Sequence, residues 1–224
     1  MTIAYADPLR DIALRAGRDL EGAPAEDVLA WAAGLFGERF AVTSSMETGV
    51  LAHLVSRVAP KVDVLFLDTG YHFAETIGTR DAIAATYDVT VVTITSGRPD
   101  DRLYETDVEA CCKARKVDPL DAALAPYVAW GSGVRRDESP SRADTPVVGW
   151  DDKRGKVKVN PLATWTQADV DAYVAEHGVL VNPLLSDGYP SIGCAPCTRR
   201  VAPGEDPRSG RWAGLSKTEC GLHV

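Results

Sequence analysis

An alternation between residues 40 and 94 limits the fold of this chain more than any other feature. Short runs rich in β-branched residues (Phe40-Ala41-Val42-Thr43, residues 62–67 and residues 89–94) take turns with helix-compatible stretches (residues 50–58 and 73–87). Before them, residues 25–36 carry Val28, Leu29, Ala32, Leu35 and Phe36 at helical spacing, with Gly37 as a stop. Strands joined through helices pair in parallel by right-handed crossovers. The expected architecture is α/β, a parallel twisted sheet with helices on both faces. Ligands of such sheets bind outside the carboxyl ends of the strands. Three polar segments fall at that edge: residues 44–49, Asp68-Thr69-Gly70-Tyr71-His72, and residues 95–101. Each, taken alone, also reads as an ordinary βα turn.

Beyond Asp101 the pattern changes. Residues 119–124 read as a helix, Val128-Ala129-Trp130 as a strand, and residues 147–159 as a hairpin about Asp151-Asp152-Lys153-Arg154-Gly155. Thr166-Gln167-Ala168-Asp169 resembles a capping box that opens a helix ending at His177, with Gly178 as its stop. From Asn182 onward Gly, Pro and charged residues dominate, which predicts an irregular tail and not a second domain.

The chain has 224 residues, 45% of them apolar and 25% charged, enough for one sizeable core. Its formal net charge of −8 argues against a protein that grips nucleic acid by its phosphates. No stretch is long and apolar enough to span a bilayer, and Met1-Thr2-Ile3-Ala4-Tyr5 opens no signal peptide, so the expected location is the cytoplasm. Thiols stay reduced there, and cysteines serve metals or catalysis more often than disulfides.

Four of the five cysteines form two pairs, Cys111-Cys112 and Cys194-Ala195-Pro196-Cys197. Four thiolates bind zinc or an iron–sulfur cluster. Adjacent side chains diverge, so Cys111 and Cys112 reach one centre only if the backbone bends or the centre is large. That favours a cluster and leaves zinc, or a redox C-x-x-C, as alternatives. Cys220 stands apart, in Lys217-Thr218-Glu219-Cys220-Gly221-Leu222-His223-Val224. Lys217 and His223 favour its thiolate, and Glu219 opposes it.

The Ser-rich loop at residues 44–49, Leu67-Asp68-Thr69-Gly70, the two cysteine pairs, Arg135-Arg136-Asp137-Glu138-Ser139 and the terminal Glu-Cys-Gly-Leu-His together resemble the assimilatory sulfonucleotide reductases, in particular their cluster-containing adenylyl-sulfate branch. The likeness runs from about Phe40 to the C-terminus. It implies an adenine-nucleotide alpha-hydrolase-like fold related to the ATP pyrophosphatases, and a [4Fe–4S] cluster on Cys111, Cys112, Cys194 and Cys197. It implies reduction of adenylyl sulfate to sulfite and AMP, with Cys220 as nucleophile and reduced thioredoxin as donor. One departure from the wider fold is the absence of the glycine pair of a Ser-Gly-Gly-x-Asp-Ser loop, which puts ATP chemistry in doubt.

The expected organisation is an α/β nucleotide-binding domain with the iron–sulfur site over residues 1–197, and a mobile tail carrying Cys220 over residues 198–224. The displacement moves charge onto the leaving phosphate, for which Lys116, Arg135, Arg136, Arg208 and Arg211 are the candidate cations. Ser44, Ser45, Asp68, Thr69 and Gly70 are the candidates for the ribose and adenine. Lys116, four residues past Cys112, is expected between cluster and substrate, and His223 beside Cys220. The rival readings are preference for the 3′-phosphorylated nucleotide, an ATP-dependent sulfurtransferase, and a metal-bearing redox sensor. The sequence leaves room for a homo-oligomer, and points to no nucleic acid or membrane as partner.

Overall fold

The structure is a computed structural model and describes residues 7–215, 217, 219, 221 and 222. In chain order its elements are α1 (Pro8–Asp19), α2 (Ala25–Phe36), β1 (Phe40–Thr43), α3 (Val50–Val58), β2 (Asp63–Asp68), α4 (Ala74–Thr86) and β3 (Thr90–Thr95). Then come α5 (Val108–Cys112), α6 (Asp118–Ala123), β4 (Ala129–Ser132), β5 (Val148–Asp151), β6 (Lys156–Val159) and α7 (Gln167–His177). The expected strands and helices are present to within a few residues at their ends.

The six strands form one sheet in the order β3-β2-β1-β4-β6-β5. All neighbours pair in parallel except β5 and β6, the expected hairpin. The chain therefore builds outward from β1 through β2 to β3, then returns to lay β4 on the other side of β1. The order reverses between β1 and β4, and a reversal of this kind opens a crevice beyond the strand ends.

Side chains alternate between the two faces. Phe40 and Val42 of β1 and Val64 and Phe66 of β2 join the larger core, with Leu29 of α2 and Leu54 of α3. Ala41, Leu65 and Trp130 point the other way, onto Leu120 of α6 and Leu124. α7 begins with the expected capping box, Thr166 and Asp169, and ends at Gly178 in the left-handed conformation (φ 59°).

Two features differ from expectation. α1 has no counterpart among the expected elements. Asp7 caps it by accepting the Leu9 N–H at 2.9 Å, and Pro8 occupies the first turn, where no amide is needed. α1 buries Ala13 and Ala16 and lies against β5 and β6. The second difference is at Cys111-Cys112. The helical segment starts earlier than expected, because Asp107 accepts the Ala110 N–H at 2.9 Å as a cap. Between α5 and α6 it runs through a π-helical turn, Lys113–Val117. Turns of this kind concentrate at functional sites.

After α7 the chain forms only short 3-10 turns among the described residues, at Pro183–Asp187 and Ala195–Cys197. Single bridges pin it back: Thr48 to Val181, His72 to Cys194, and Thr198 to Arg211. Among the described residues no helix is long and apolar enough to cross a membrane.

Candidate active site

The ends of β1 and β4 open onto a cavity of about 890 Å³, lined by residues from several loops at that edge. Ser44 and Ser45 enter from β1, Thr69 and His72 from β2, and Arg135 to Glu138 from β4. The loop after β1 is tightly wound. Ser44 Oγ accepts the Met46 N–H at 3.3 Å, and Met46 is fully buried with a positive φ of 58°. Glu47 ties this loop to the C-terminal segment: its carbonyl accepts the Asn182 N–H at 3.0 Å and its Oε2 accepts the Ile192 N–H at 2.8 Å. Burial pushes the Glu47 carboxyl up, as does the nearby Glu138, while the Ile192 amide opposes the shift.

All five candidate cations, Lys116, Arg135, Arg136, Arg208 and Arg211, line this cavity. Two of them carry buried N–H groups with no hydrogen-bond partner among the described residues: Arg135 Nη1 and Arg211 Nε. Arg135 is aimed by Gln167, which accepts from Nη2 at 2.7 Å. Arg211 donates to Ser191 Oγ at 3.2 Å and to the Ile192 carbonyl at 3.1 Å, and stacks over Trp212 at 4.6 Å. Gly193 leaves room for it, since a Cβ there would lie 2.6 Å from Arg211 Nη2. Arg135 Nη1 lies 3.7 Å from Asp137 Oδ2, which offsets part of its charge, and the two guanidinium groups add positive charge to the cavity wall, where an anion is favoured. Arg136 is engaged elsewhere: it donates to Glu21 Oε1 at 2.6 Å and to the Thr145 carbonyl at 2.8 Å.

Asp68 and Gly70 are set back from the cavity wall. Asp68 accepts the Gly70 N–H at 2.9 Å and lies 3.7 Å from Arg80. Gly70 has a φ of 76°, and a Cβ there would meet Arg115. They shape the turn that presents Thr69, which is 1% exposed. His72 is not marked out by residue spacing, yet it lines the cavity. Its Nε2 meets the Leu67 carbonyl at 2.8 Å, which fixes N–H there and leaves Nδ1 as an acceptor without a partner among the described residues. Burial pushes its pKa down, so the ring is neutral at physiological pH.

The four paired cysteines form no disulfide and surround a second, small cavity. Cys194 is brought there by its bridge to His72, and its Sγ lies 3.3 Å from Thr69 Oγ1. Burial pushes the Cys111 thiol up to about 11, with Cys112 and Cys194 adding to the shift and Arg115 opposing it. Burial also raises Cys197, against Lys116 and Arg211. Arg115, carried by the π turn, is 3% exposed. It donates to the Thr69 carbonyl at 3.0 Å and to Asp101 Oδ1 at 2.9 Å, and lies over Tyr71. Among the described residues no group of three or more His, Cys, Asp or Glu side chains is arranged to hold a metal ion. Thr69, Lys116 and Trp212 line both cavities and so form the wall between them. Lys116 thus stands between the thiols and the larger cavity, in keeping with its position four residues past Cys112.

Cys220 and His223 lie outside the described residues. Their neighbours Lys217, Glu219, Gly221 and Leu222 do not, and Glu219 and Leu222 line the larger cavity. Arg142 also lines it and is absent from the expected cations. It sits in the 3-10 turn Pro140–Arg142, where nothing in the residue spacing marks it.

Fold and site together define an α/β protein with a switch-point cavity, rich in guanidinium groups, that shares a wall with a four-thiol centre. Residues 39–200 match the phosphoadenosine phosphosulfate reductase domain, and the chain belongs to that family. It is 61% identical to an adenosine 5′-phosphosulfate reductase of Streptomyces coelicolor, over 97% of this chain and 95% of that one. It is 52% identical to another from Mycolicibacterium smegmatis, over 100% of this chain and 98% of that one. Among solved structures it is similar to a phosphoadenylyl-sulfate reductase of Candida auris in a phosphate complex. The TM-score is 0.74 and the identity 27%, over 90% of this chain and 100% of that one. A Candida glabrata FMN adenylyltransferase bound to ATP shares the fold at a TM-score of 0.60 and 13% identity, over 92% and 71% of the two chains.

Proposed function

We propose that this chain reduces adenylyl sulfate to sulfite and AMP in sulfate assimilation. The observation that carries the reading is the set of guanidinium groups on a switch-point cavity that abuts four thiols. The two bacterial relatives, matched over nearly their whole lengths, bear the name of that reductase.

The chemistry is displacement at sulfur. The Cys220 thiolate attacks the sulfate sulfur of adenylyl sulfate. A sulfur–sulfur bond forms, the sulfur–oxygen bond to the phosphate breaks, and AMP leaves with the electron pair. Cys220 then carries a sulfonate. A thiolate of reduced thioredoxin attacks the Cys220 sulfur and expels sulfite, and its second thiol resolves the mixed disulfide. The sulfate sulfur gains two electrons and the dithiol loses them. Arg135, Arg211, Arg208 and Lys116 stabilise the charge that builds on the leaving phosphate, in a cavity where such donors are preorganised. Ser44, Ser45 and the turn at Thr69 hold the nucleoside. His223 is assigned to Cys220 as its neighbour in sequence.

Cys111, Cys112, Cys194 and Cys197 are the residues that would hold a [4Fe–4S] cluster. Four thiols line one cavity, with Arg115 and Lys116 beside them to balance thiolate charge, and this is the donor set that such a group requires. Bound there, such a group would supply a fixed centre of charge, and Cys111 and Cys112 would tie the end of α5 through it to Cys194 and Cys197 of the C-terminal segment. In this reading residues 1–197 form the nucleotide-binding body, residues 198–224 form a tail that moves to deliver Cys220, and the enzyme works in the cytoplasm, where thioredoxin is reduced.

The test is the intact mass of the anaerobically purified protein after adenylyl sulfate is added without thiol. A gain of one sulfonate is expected, absent in Cys220→Ser and reversed by reduced thioredoxin with release of sulfite. No adduct on protein that holds its iron and sulfide would remove Cys220 from this role. The 3′-phosphorylated nucleotide, run beside it, is expected to label far more slowly.

A further inference from the structure

Three described tail residues around Cys220, namely Lys217, Glu219 and Leu222, each meet a side chain that the reaction scheme does not use. Glu219, bonded directly to Cys220, is gripped by Arg142. Arg142 Nε donates to Glu219 Oε1 at 2.9 Å and Nη2 donates to Oε2 at 2.8 Å, a two-pronged pair. Ser141 Oγ donates to the same Oε1 at 3.3 Å, and Arg208 Nη2 lies 3.4 Å from it. Both partners are well covered, their side chains 13% and 14% exposed. Glu138 braces Arg142 from the other side by accepting from Nη1. Burial disfavours the charge on Arg142, but Glu219 and Glu138 outweigh it and its pKa is raised. Burial likewise opposes charge on Glu219, but Arg142 and Arg208 hold its carboxyl below the usual range.

The other tail contacts are looser or less specific. Lys217 Nζ donates to Glu109 Oε2 at 2.5 Å, but Glu109 is 75% exposed and such a pair fixes little. The Leu222 carbonyl accepts from Arg154 Nη1 at 3.2 Å, and Leu222 packs beside Leu120 and Trp130. Of these contacts of the described tail residues, the Arg142–Glu219 pair alone is both covered and bidentate, and planar fork-to-carboxylate pairing fixes direction as well as distance.

We propose that Arg142 is a positioning residue for the reaction: by holding Glu219 it sets where the neighbouring Cys220 thiol is delivered in the cavity. The role in the reaction rests on Cys220 being the nucleophile. The grip itself does not.

The experiment compares Arg142→Gln, Glu219→Gln and the double variant. Glu219→Gln changes one tail atom type and leaves the body intact. The first readout is the rate of sulfonate gain at saturating adenylyl sulfate without thiol. Each single variant is expected to label about tenfold more slowly, since half of a covered ion pair is lost. The double variant should be no slower than the slower single, because both act through one contact. Affinity for adenylyl sulfate, measured in the Cys220→Ser background, should stay within about twofold. Unchanged labelling rates, or losses that multiply in the double variant, would overturn the proposal. So would a loss of affinity in Arg142→Gln alone, which would make Arg142 a direct substrate contact. The second readout is the rate at which iodoacetamide alkylates Cys220 in ligand-free protein, expected to rise in both single variants. If wild-type protein forms no sulfonate adduct, the nucleophile reading falls by itself. Alkylation rates equal across all variants would then still overturn the grip.

Discussion

His53 of α3 is a neutral side chain in a ring of aromatic groups. Its Nδ1 meets Tyr173 Oη at 2.8 Å, and the rings of Tyr87 and His177 lie 5.2 and 5.5 Å away. Burial, His177 and Arg57 all push its pKa below 6.5. The unfolded chain therefore takes up this proton first as pH falls, and stability drops with it just below the ordinary histidine value. His72 is shifted in the same direction. In His53→Gln the difference in Tm between about pH 7 and about pH 5.5 should shrink but not vanish, because His72 still titrates. An unchanged slope would show that His53 takes no part in acid sensitivity. At this scale the sequence is legible where chemistry is written in residue type and order. The two cysteine pairs gather around one cavity, and the Arg135-Arg136 run reaches the sheet edge. Arg142 escapes such a reading, and His72 enters it only as the end of a polar segment, because each matters through its partner. Glu219 is 77 residues from Arg142, and the Leu67 carbonyl that sets the His72 tautomer has no side-chain signal.

Among the elements, the most sharply fitted contact is that of α1 on β5. A Cβ at Gly17 would lie 2.3 Å from the Val148 carbonyl oxygen, so Gly17→Ala must push the helix off the strand. Helix propensity favours alanine by about 1 kcal/mol, but overpacking against backbone costs about 1–3 kcal/mol. A net loss in the urea unfolding midpoint is expected. Gly34 of α2 and Gly78 of α4 meet nothing within 4 Å. Alanine there should raise the midpoint by a gain of up to about 1 kcal/mol. If all three variants moved the same way, the Gly17 contact would not be close. The βα alternation is readable because strand and helix periods differ over whole segments. The π turn at Lys113–Val117 is not, since one extra residue in one turn leaves no period to detect. α1 does leave a signal in Asp7-Pro8, a cap followed by a first-turn proline.

For the whole molecule, the two cysteine pairs join segments about 80 residues apart in the chain, at the end of α5 and in the 3-10 turn Ala195–Cys197. The C-terminal segment has few regular hydrogen bonds of its own. Its place depends on single bridges such as His72 to Cys194 and on the Ile192 N–H donating to Glu47 Oε2 at 2.8 Å. A metal centre across the pairs would couple binding to the folding of this segment. Cys194→Ser is expected to lose iron and sulfide. It should also speed amide exchange over residues 190–215 at least tenfold, with β1 to β3 little changed. Uniform acceleration throughout the sheet would mean that the centre supports the whole fold and not this segment.

Thr69, Lys116 and Trp212 form a partition with a different occupant proposed on each side. Trp212 sits there at a φ of 48°, a backbone conformation that few side chains adopt. A change at any of the three alters both chambers at once. Ser45 and Arg136 line the larger cavity alone, so a change at either reaches the thiol cavity only through other residues. The partition is a party wall, and neither chamber can be rebuilt there without rebuilding the other.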